Sequence, residues 1–248
     1  MILALLLAHL VGDYILQWDS LSRWKSEEVG GVLVHGFIVI GVTLLFTLPL
    51  DPSWWPWAIF VGVTHTLIDG LELPFRRYLV ARGPGKSALA LFLVDQTLHL
   101  AIIVFSLVAS GYLSAPVLVD NLARTSNDHR FLTFLLAYAF LTMPAWIIIR
   151  FLVHGLLNGS APDFSVKPQS KYLGMFERGI IATMILLGQF LLIPLATLPR
   201  LIYDWTGTTA PEVTGPYSGR RQGVLYLAEL VTSIALAVAI GLVLRQLL

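Results

Sequence analysis

The chain has no cysteine and few charged residues. Among its 248 residues, 12% are Asp, Glu, Lys or Arg, about half the share of an ordinary soluble domain. The lack of cysteine excludes disulfide scaffolds, thiolate zinc sites and cysteine nucleophiles. A formal net charge of +1 excludes nucleic-acid binding that is driven by net charge. Because 56% of the residues are hydrophobic and the mean hydropathy is +0.78, the composition indicates an integral membrane protein in a lipid bilayer.

Long apolar stretches predict an all-α bundle that crosses the membrane about seven times. A helix needs on the order of 20 apolar residues to cross the hydrocarbon core. The stretches that meet or approach this length are Met1–Gln17, Val32–Leu50, Trp57–Leu73, Ala88–Tyr112, Phe131–Leu157, Gly179–Leu198 and Val224–Leu247. We expect one integral membrane domain, with a four-helix part at residues 1–112 and three further spans at residues 131–248.

The distribution of Lys and Arg predicts the orientation of these spans. Ten of these residues lie at the C-terminus or in the connections after the first, third and fifth spans, against five in the other connections. Cytoplasmic loops are enriched in Lys and Arg. We therefore expect the N-terminus outside and the C-terminus in the cytoplasm.

Histidine and aspartate recur inside the first four predicted spans. Three pairs are four residues apart, so that both members of each pair share one helix face: His9/Asp13, His65/Asp69 and Asp95/His99, while His35 stands alone in the second span. An ionisable side chain at membrane depth costs at least a few kcal/mol unless it is paired or lines a cavity. The predicted topology brings all seven toward the cytoplasmic ends of their helices, which indicates one shared polar site.

These residue types favour a metal site. Imidazole and carboxylate ligands without thiolate suit zinc, manganese or iron with open coordination positions. The seven residues would hold two ions roughly 3.5–4 Å apart, or one ion with Asp–His pairs behind it. Bound metal would acidify a water that attacks a phosphoester or amide of a lipid or small molecule, with Asp13 or Asp95 as the proton acceptor. The expected substrate contacts are Gln17, Gln96, Arg76, Arg77, His154 and Glu177.

Two other functions remain open at this point. A proton- or ion-coupled carrier would use the same residues as a relay, and a non-catalytic subunit of a membrane complex or oligomer would use them as polar contacts between helices. Transporters usually contain internal repeats, and the sequence has no clear one. This modestly favours the hydrolase.

The motifs that carry these residues resemble a bacterial membrane family known as domain of unknown function 3307. The matching motifs are Ala8–Gln17, Leu33–His35, Thr64–Asp69, Asp95–His99, Gly174–Arg178 and Tyr226–Ser233. This resemblance covers nearly the whole chain and implies a multi-pass protein of the inner membrane, without an activity.

A more distant similarity implies hydrolysis. The run Gly62-Val63-Thr64-His65, with Asp69, is similar to a motif of inner-membrane metal-dependent hydrolases that are regulated by the SOS repressor. His35 and Asp13 could match a histidine and an aspartate of that family. The second histidine of its His-x-x-x-x-His element is missing here.

Overall fold

The computed structural model describes residues 1–81, 87–113, 129–158, 162, 168–208 and 219–248, without the side chains of 76, 77, 79–81, 87, 168–170, 204–208 and 219–222. Every regular element in these ranges is helical, which confirms the all-α prediction for the described chain. The chain forms two compact units, Met1–Ala139 and Phe140–Leu248.

In the described part of the chain, five α-helices lie wholly within the first unit. They are α1 (Ile2–Leu10), α2 (Asp19–Glu27), α3 (Val29–Thr47), α4 (Trp55–Ala81) and α5 (Ser87–Ala109). α1 continues into a π-helical turn, Val11–Ile15, and α2 then leaves at 87° to this first segment. A further helix, α6 (Arg130–Leu141), runs from this unit into the second.

The connection between α3 and α4 is fixed by Asp51. Its Oδ1 accepts hydrogen bonds from the backbone N–H of Ser53 at 2.9 Å and from the Ser53 hydroxyl at 2.6 Å. The Tyr112 hydroxyl, which follows α5, donates to Asp51 Oδ2 at 2.6 Å. Together, the hydrogen bonds from Ser53 and Tyr112 lower the pKa of Asp51. The residues directly after α5 therefore contact the α3–α4 connection.

Glycines allow α3 and α4 to approach closely. A Cβ added at Gly36 of α3 would overlap Thr66, and one added at Gly62 of α4 would overlap Ile40. In membranes, small residues at a helix contact let van der Waals packing replace the missing hydrophobic driving force. This close approach sets the distance between the polar side chains that α3 and α4 carry.

Apolar and polar residues separate along the first unit. Ile2, Leu5, Ala58, Val61 and Ile103 belong to one buried apolar cluster of α1, α4 and α5. The histidines and aspartates of these helices follow the cluster residues in the sequence of α1 and α4 and precede them in α5. Large apolar side chains also cover the outside, with Phe37 72% exposed, as expected for a surface that faces lipid.

The second unit begins with a broken helix. α6 and α7 (Met143–Val153) meet at Thr142 with a bend of 47°, because Pro144 cannot continue the α6 hydrogen-bond pattern. The buried Arg178 guanidinium satisfies the carbonyls that the break exposes, by donating to Leu141 O at 2.7 Å and Thr142 O at 2.9 Å. A π-helical turn, His154–Asn158, follows α7.

Three further helices of the second unit lie in the described residues: α8 (Pro168–Leu186), α9 (Ile193–Thr208) and α10 (Gly219–Arg245). By length and composition, the described chain has four helices that could cross a membrane, or six if each of the two bent pairs counts as one span. This confirms a multi-pass helical protein, but supports neither seven spans nor the predicted orientation of the termini.

The predicted sixth span, Gly179–Leu198, is not one continuous helix. α8 ends at Leu186 and Gly188 adopts a left-handed backbone conformation (φ 73°), which glycine tolerates without a Cβ penalty. The chain then turns back, and α9 packs against α8. As a result, Arg200 of α9 donates to Glu177 of α8 at 2.9 Å, although a crossing would separate them to opposite sides.

A second contact also conflicts with the seven-span topology. His154 Nε2 lies 3.0 Å from Glu229 Oε1, whereas the seven-span topology places these residues near opposite faces of the membrane. A helical hairpin of α8 and α9 removes the conflict, because α10 then begins on the side where α7 ends.

Candidate metal centre

The first unit brings six of the seven predicted ligands into one buried cluster. Asp13 is supplied by the π-helical turn, His35 by α3, His65 and Asp69 by α4, and Asp95 and His99 by α5. His35 is fully buried and Asp69 is 3% exposed. We call these six residues the His/Asp cluster.

Three donor atoms of the cluster, Asp13 Oδ1, His35 Nε2 and His65 Nε2, converge, and Asp69 Oδ2 lies beside the two histidines. His35 Nε2 lies 3.1 Å from His65 Nε2, 3.2 Å from Asp13 Oδ1 and 3.6 Å from Asp69 Oδ2. His65 Nε2 lies 3.7 Å from Asp13 Oδ1 and 3.3 Å from Asp69 Oδ2. A tetrahedral ion with bonds of about 2.0–2.1 Å needs neighbouring ligand atoms about 3.3 Å apart. The spacings among Asp13, His35 and His65 therefore fit three ligands of a single divalent ion.

Hydrogen bonding alone does not account for this convergence. Each imidazole nitrogen can direct at most one N–H, whereas His35 Nε2 faces two carboxylate oxygens and a second imidazole nitrogen at once. The residues Asp13, His35 and His65 form one group with mutually close ligand atoms. The fourth coordination position of an ion held by these three residues lies next to Asp69. It would be taken by Asp69 itself or by water, since catalytic zinc sites keep one position open.

Two further groups overlap with this one and share Asp69. His65, Asp69 and His99 form the first, and Asp69, Glu72 and Asp95 form the second, with ligand atoms within 4.8 Å of one another in each. His99 Nδ1 lies 3.4 Å from Asp95 Oδ1. Both ring nitrogens of His99 are buried without a hydrogen-bond partner in the described chain.

His9 lies beside the cluster but is in none of these groups, which comprise described residues only. Its ring centroid lies 5.8 Å from that of His99 and 6.2 Å from that of His65. The three rings line a small cavity with room for about one water molecule, closed on the apolar side by residues such as Leu5 and Val61.

Lys25 contacts the His/Asp cluster, although the sequence predicts for it only a place among the basic residues after the first span. α2 carries its ammonium to 2.9 Å from Asp69 Oδ2 and 3.6 Å from Asp13 Oδ1. It also donates to Gln17 Oε1 at 3.2 Å. No pattern in the sequence marks this role, because it depends on the bend before α2.

Gln96 holds two carboxylates of the cluster. Its Nε2 donates to Asp95 Oδ2 at 2.9 Å and to Asp13 Oδ2 at 3.3 Å. Its Oε1 accepts from the Tyr14 hydroxyl at 2.5 Å. Gln17 and Gln96, predicted as substrate contacts, thus bind side chains of the cluster and its surroundings.

The other predicted substrate contacts lie on α4 and in the second unit. Arg76 and Arg77 lie on α4, but their side chains are outside the described part of the structure. His154 and Glu177 belong to the second unit, where they pair with Glu229 and Arg200. Glu229 had no role in the sequence analysis, because its partner lies 75 residues away in the chain.

No curated protein and no solved structure matches this chain. A family model described as "Protein of unknown function (DUF3307)" matches residues 1–149, which include the whole His/Asp cluster. The match does not extend to the motifs at 174–178 and 226–233 that suggested a resemblance over nearly the whole chain. Since the model covers more than half of the sequence, the chain belongs to the DUF3307 family.

Proposed function

We propose that this protein is a membrane-embedded hydrolase that depends on a divalent metal ion. The observation that carries the proposal is the convergence of Asp13 Oδ1, His35 Nε2 and His65 Nε2 at spacings of 3.1–3.7 Å, with Asp69 Oδ2 3.6 and 3.3 Å from the two histidines. Zinc and manganese both suit this mixture of imidazole and carboxylate ligands.

The burial of the cluster supports a bound cation. Asp13 and Asp69 are at least 90% buried, and Lys25 is the cation found beside them among the described side chains. Asp95 adds a third carboxylate. Buried carboxylates need compensating charge, so a divalent ion supplies what one ammonium leaves unbalanced.

The chemistry proposed for the site is hydrolysis of a phosphoester or amide of a lipid or small molecule. A bound divalent ion lowers the pKa of water and polarises a scissile bond. Of the two carboxylates expected to accept a proton, Asp13 lies among the three converging donors, whereas Asp95 lies beside them. Gln96 orients Asp95 through its Oδ2. Asp95 is therefore the better placed proton acceptor.

Metal content and hydrolysis should be measured together on the full chain purified in detergent. The His35→Ala variant should bind zinc or manganese at least about 100-fold more weakly and lose hydrolysis of nitrophenyl phosphodiester and anilide probes to a similar extent. His129→Ala is the matched control, since His129 is exposed and should leave both unchanged. Absence of metal after reconstitution with either ion would contradict the proposal.

A proton- or ion-coupled carrier is the second candidate, favoured by Lys25. Its ammonium contacts Asp69 and Asp13 directly, so the pair of carboxylates has a cation even without metal. In that case the cluster binds no transition metal. Proton flux into vesicles that contain the protein would then be abolished by His35→Ala and unaffected by His129→Ala.

A further inference from the structure

The His/Asp cluster continues along α4 and α5 beyond the three converging donors. Asp69 and Glu72 are three residues apart on α4, and Asp95 and His99 are four residues apart on α5, so each pair shares a helix face. Carboxylate-bridged metal pairs in helical bundles are built from such pairs on facing helices. Glu72 is not among the ligands predicted from the sequence.

We propose that a second divalent cation binds between α4 and α5, with Asp69 bridging the two ions. This inference rests on the proposed function, because the first ion is the one held by Asp13, His35 and His65. Asp69 Oδ2 faces that first position, 3.3 Å from His65 Nε2. Its other oxygen, Oδ1, lies on the side of His99, 3.9 Å from His99 Nε2.

The ligands of the second cation are Asp69, Glu72 and Asp95, with His99 at their edge. The three carboxylates each offer an oxygen within 4.8 Å of the others. Independently of this acidic group, His99 is 2% exposed and neither of its ring nitrogens has a hydrogen-bond partner in the described chain. Its ring nitrogens have longer contacts instead, Nδ1 with Asp95 Oδ1 at 3.4 Å and Nε2 with Asp69 Oδ1 at 3.9 Å. Because a polar group buried without a hydrogen bond is costly, a cation that Nε2 ligates beside Asp69 would lower that cost.

The donor set indicates which cation binds. Three carboxylates and one imidazole form an oxygen-rich site, which suits Mn²⁺ or Mg²⁺ better than zinc. Asp95 would ligate through Oδ1, which is buried without a hydrogen bond, while Gln96 holds Oδ2. Ligation through one oxygen leaves the other able to accept a proton, so both roles of Asp95 are compatible.

Manganese titration of the metal-stripped full chain in detergent tests this inference. The native chain should bind two equivalents of Mn²⁺ and give the exchange-broadened paramagnetic resonance spectrum of a coupled pair. Glu72→Gln, which keeps the shape of the side chain, should bind one equivalent and give the six-line spectrum of isolated Mn²⁺. Glu28→Gln is the matched control, because Glu28 is exposed, and it should behave like the native chain.

The outcomes separate the two proposals. One equivalent in the native chain, lost in His35→Ala and kept in Glu72→Gln, would overturn the second site and leave the proposed function standing. Two equivalents in both the native chain and Glu72→Gln would overturn the role of Glu72. Absence of bound Mn²⁺ in every variant would overturn the second site, and absence of bound zinc as well would overturn the proposed function. One equivalent retained by Glu72→Gln also shows that this variant folds.

Discussion

The charge balance of the His/Asp cluster depends on Lys25. Its ammonium lies 2.9 Å from Asp69 Oδ2, an atom that also faces the proposed ion. Two unit charges about 4 Å apart interact by about 4 kcal/mol at an effective dielectric constant of 20. Lys25 thus stabilises the metal-free cluster and repels an ion that enters it.

Lys25→Met should tighten the binding of Mn²⁺ or Zn²⁺ at least about tenfold, because a third of that Coulomb energy already corresponds to a factor of ten. The metal-free variant should also be less stable, since Asp13 and Asp69 lose their counter-charge. Isothermal titration of the full chain measures the affinity. Arg23→Met is the control, as Arg23 is exposed on the same helix. Weaker binding in Lys25→Met would show that Lys25 supports the ion.

At individual positions, the sequence predicted which side chains could bind a metal better than it predicted which side chains contact one another. The four-residue spacing of His65/Asp69 and of Asp95/His99 directed attention to one helix face each. It could not identify Lys25, because the 87° bend that turns α2 toward Asp69 leaves no periodic pattern. It also predicted a substrate contact for Gln96 but not that the amide of this residue donates to Asp13 and Asp95.

The position of α2 depends on a contact with α3 that only glycine permits. A Cβ added at Gly31 would overlap the backbone of Trp24 and Lys25, and backbone cannot move aside as a flexible side chain can. The backbones of α2 and α3 are therefore in close contact at Lys25. This contact determines how far the ammonium reaches into the cluster.

Gly31→Ala should destabilise the protein by about 1–3 kcal/mol, the usual cost of overpacking. Gly41→Ala on the same helix is the matched control, because a Cβ there meets nothing within 4 Å and alanine favours a helix by about 1 kcal/mol over glycine. Unfolding of the full chain in mixed micelles, followed by circular dichroism, gives both values. Equal stability of the two variants would contradict the close approach.

Among the helices, α3, α4, α5 and α10 were expected from apolar length, and candidate spans lie there. The α8–α9 segment shows where length fails as a criterion. Gly179–Leu198 is apolar enough for a span, yet it contains the left-handed turn at Gly188 and a second helix that folds back. Hydropathy averages over such a turn, so it does not distinguish a crossing from a hairpin.

The hairpin makes a prediction about the topology of the chain. If α8 and α9 return to one side, single cysteines at Tyr172 and Ile202 should react with a membrane-impermeant maleimide from the same side of vesicles. Both positions are exposed, and the chain has no cysteine of its own to interfere. A seven-span chain would label them from opposite sides.

Cysteines at Val29 and Leu50 are the control for this experiment. They flank α3, a candidate span, and both are exposed. They should react from opposite sides in either topology. Labelling of Tyr172→Cys and Ile202→Cys from opposite sides, with the control behaving as expected, would contradict the hairpin.

The sequence by itself determined that this is a helical membrane protein with costly ionisable residues in its first half. Composition and hydropathy suffice for this, because the bilayer admits few backbone structures and penalises each unpaired charge. Only the tertiary structure decided which side chains meet: Lys25 with Asp69, Gln96 with Asp13, Arg200 with Glu177 and His154 with Glu229. These contacts follow from bends, a turn and close glycine packing, which set the direction of each helix and are invisible to a one-dimensional hydropathy pattern.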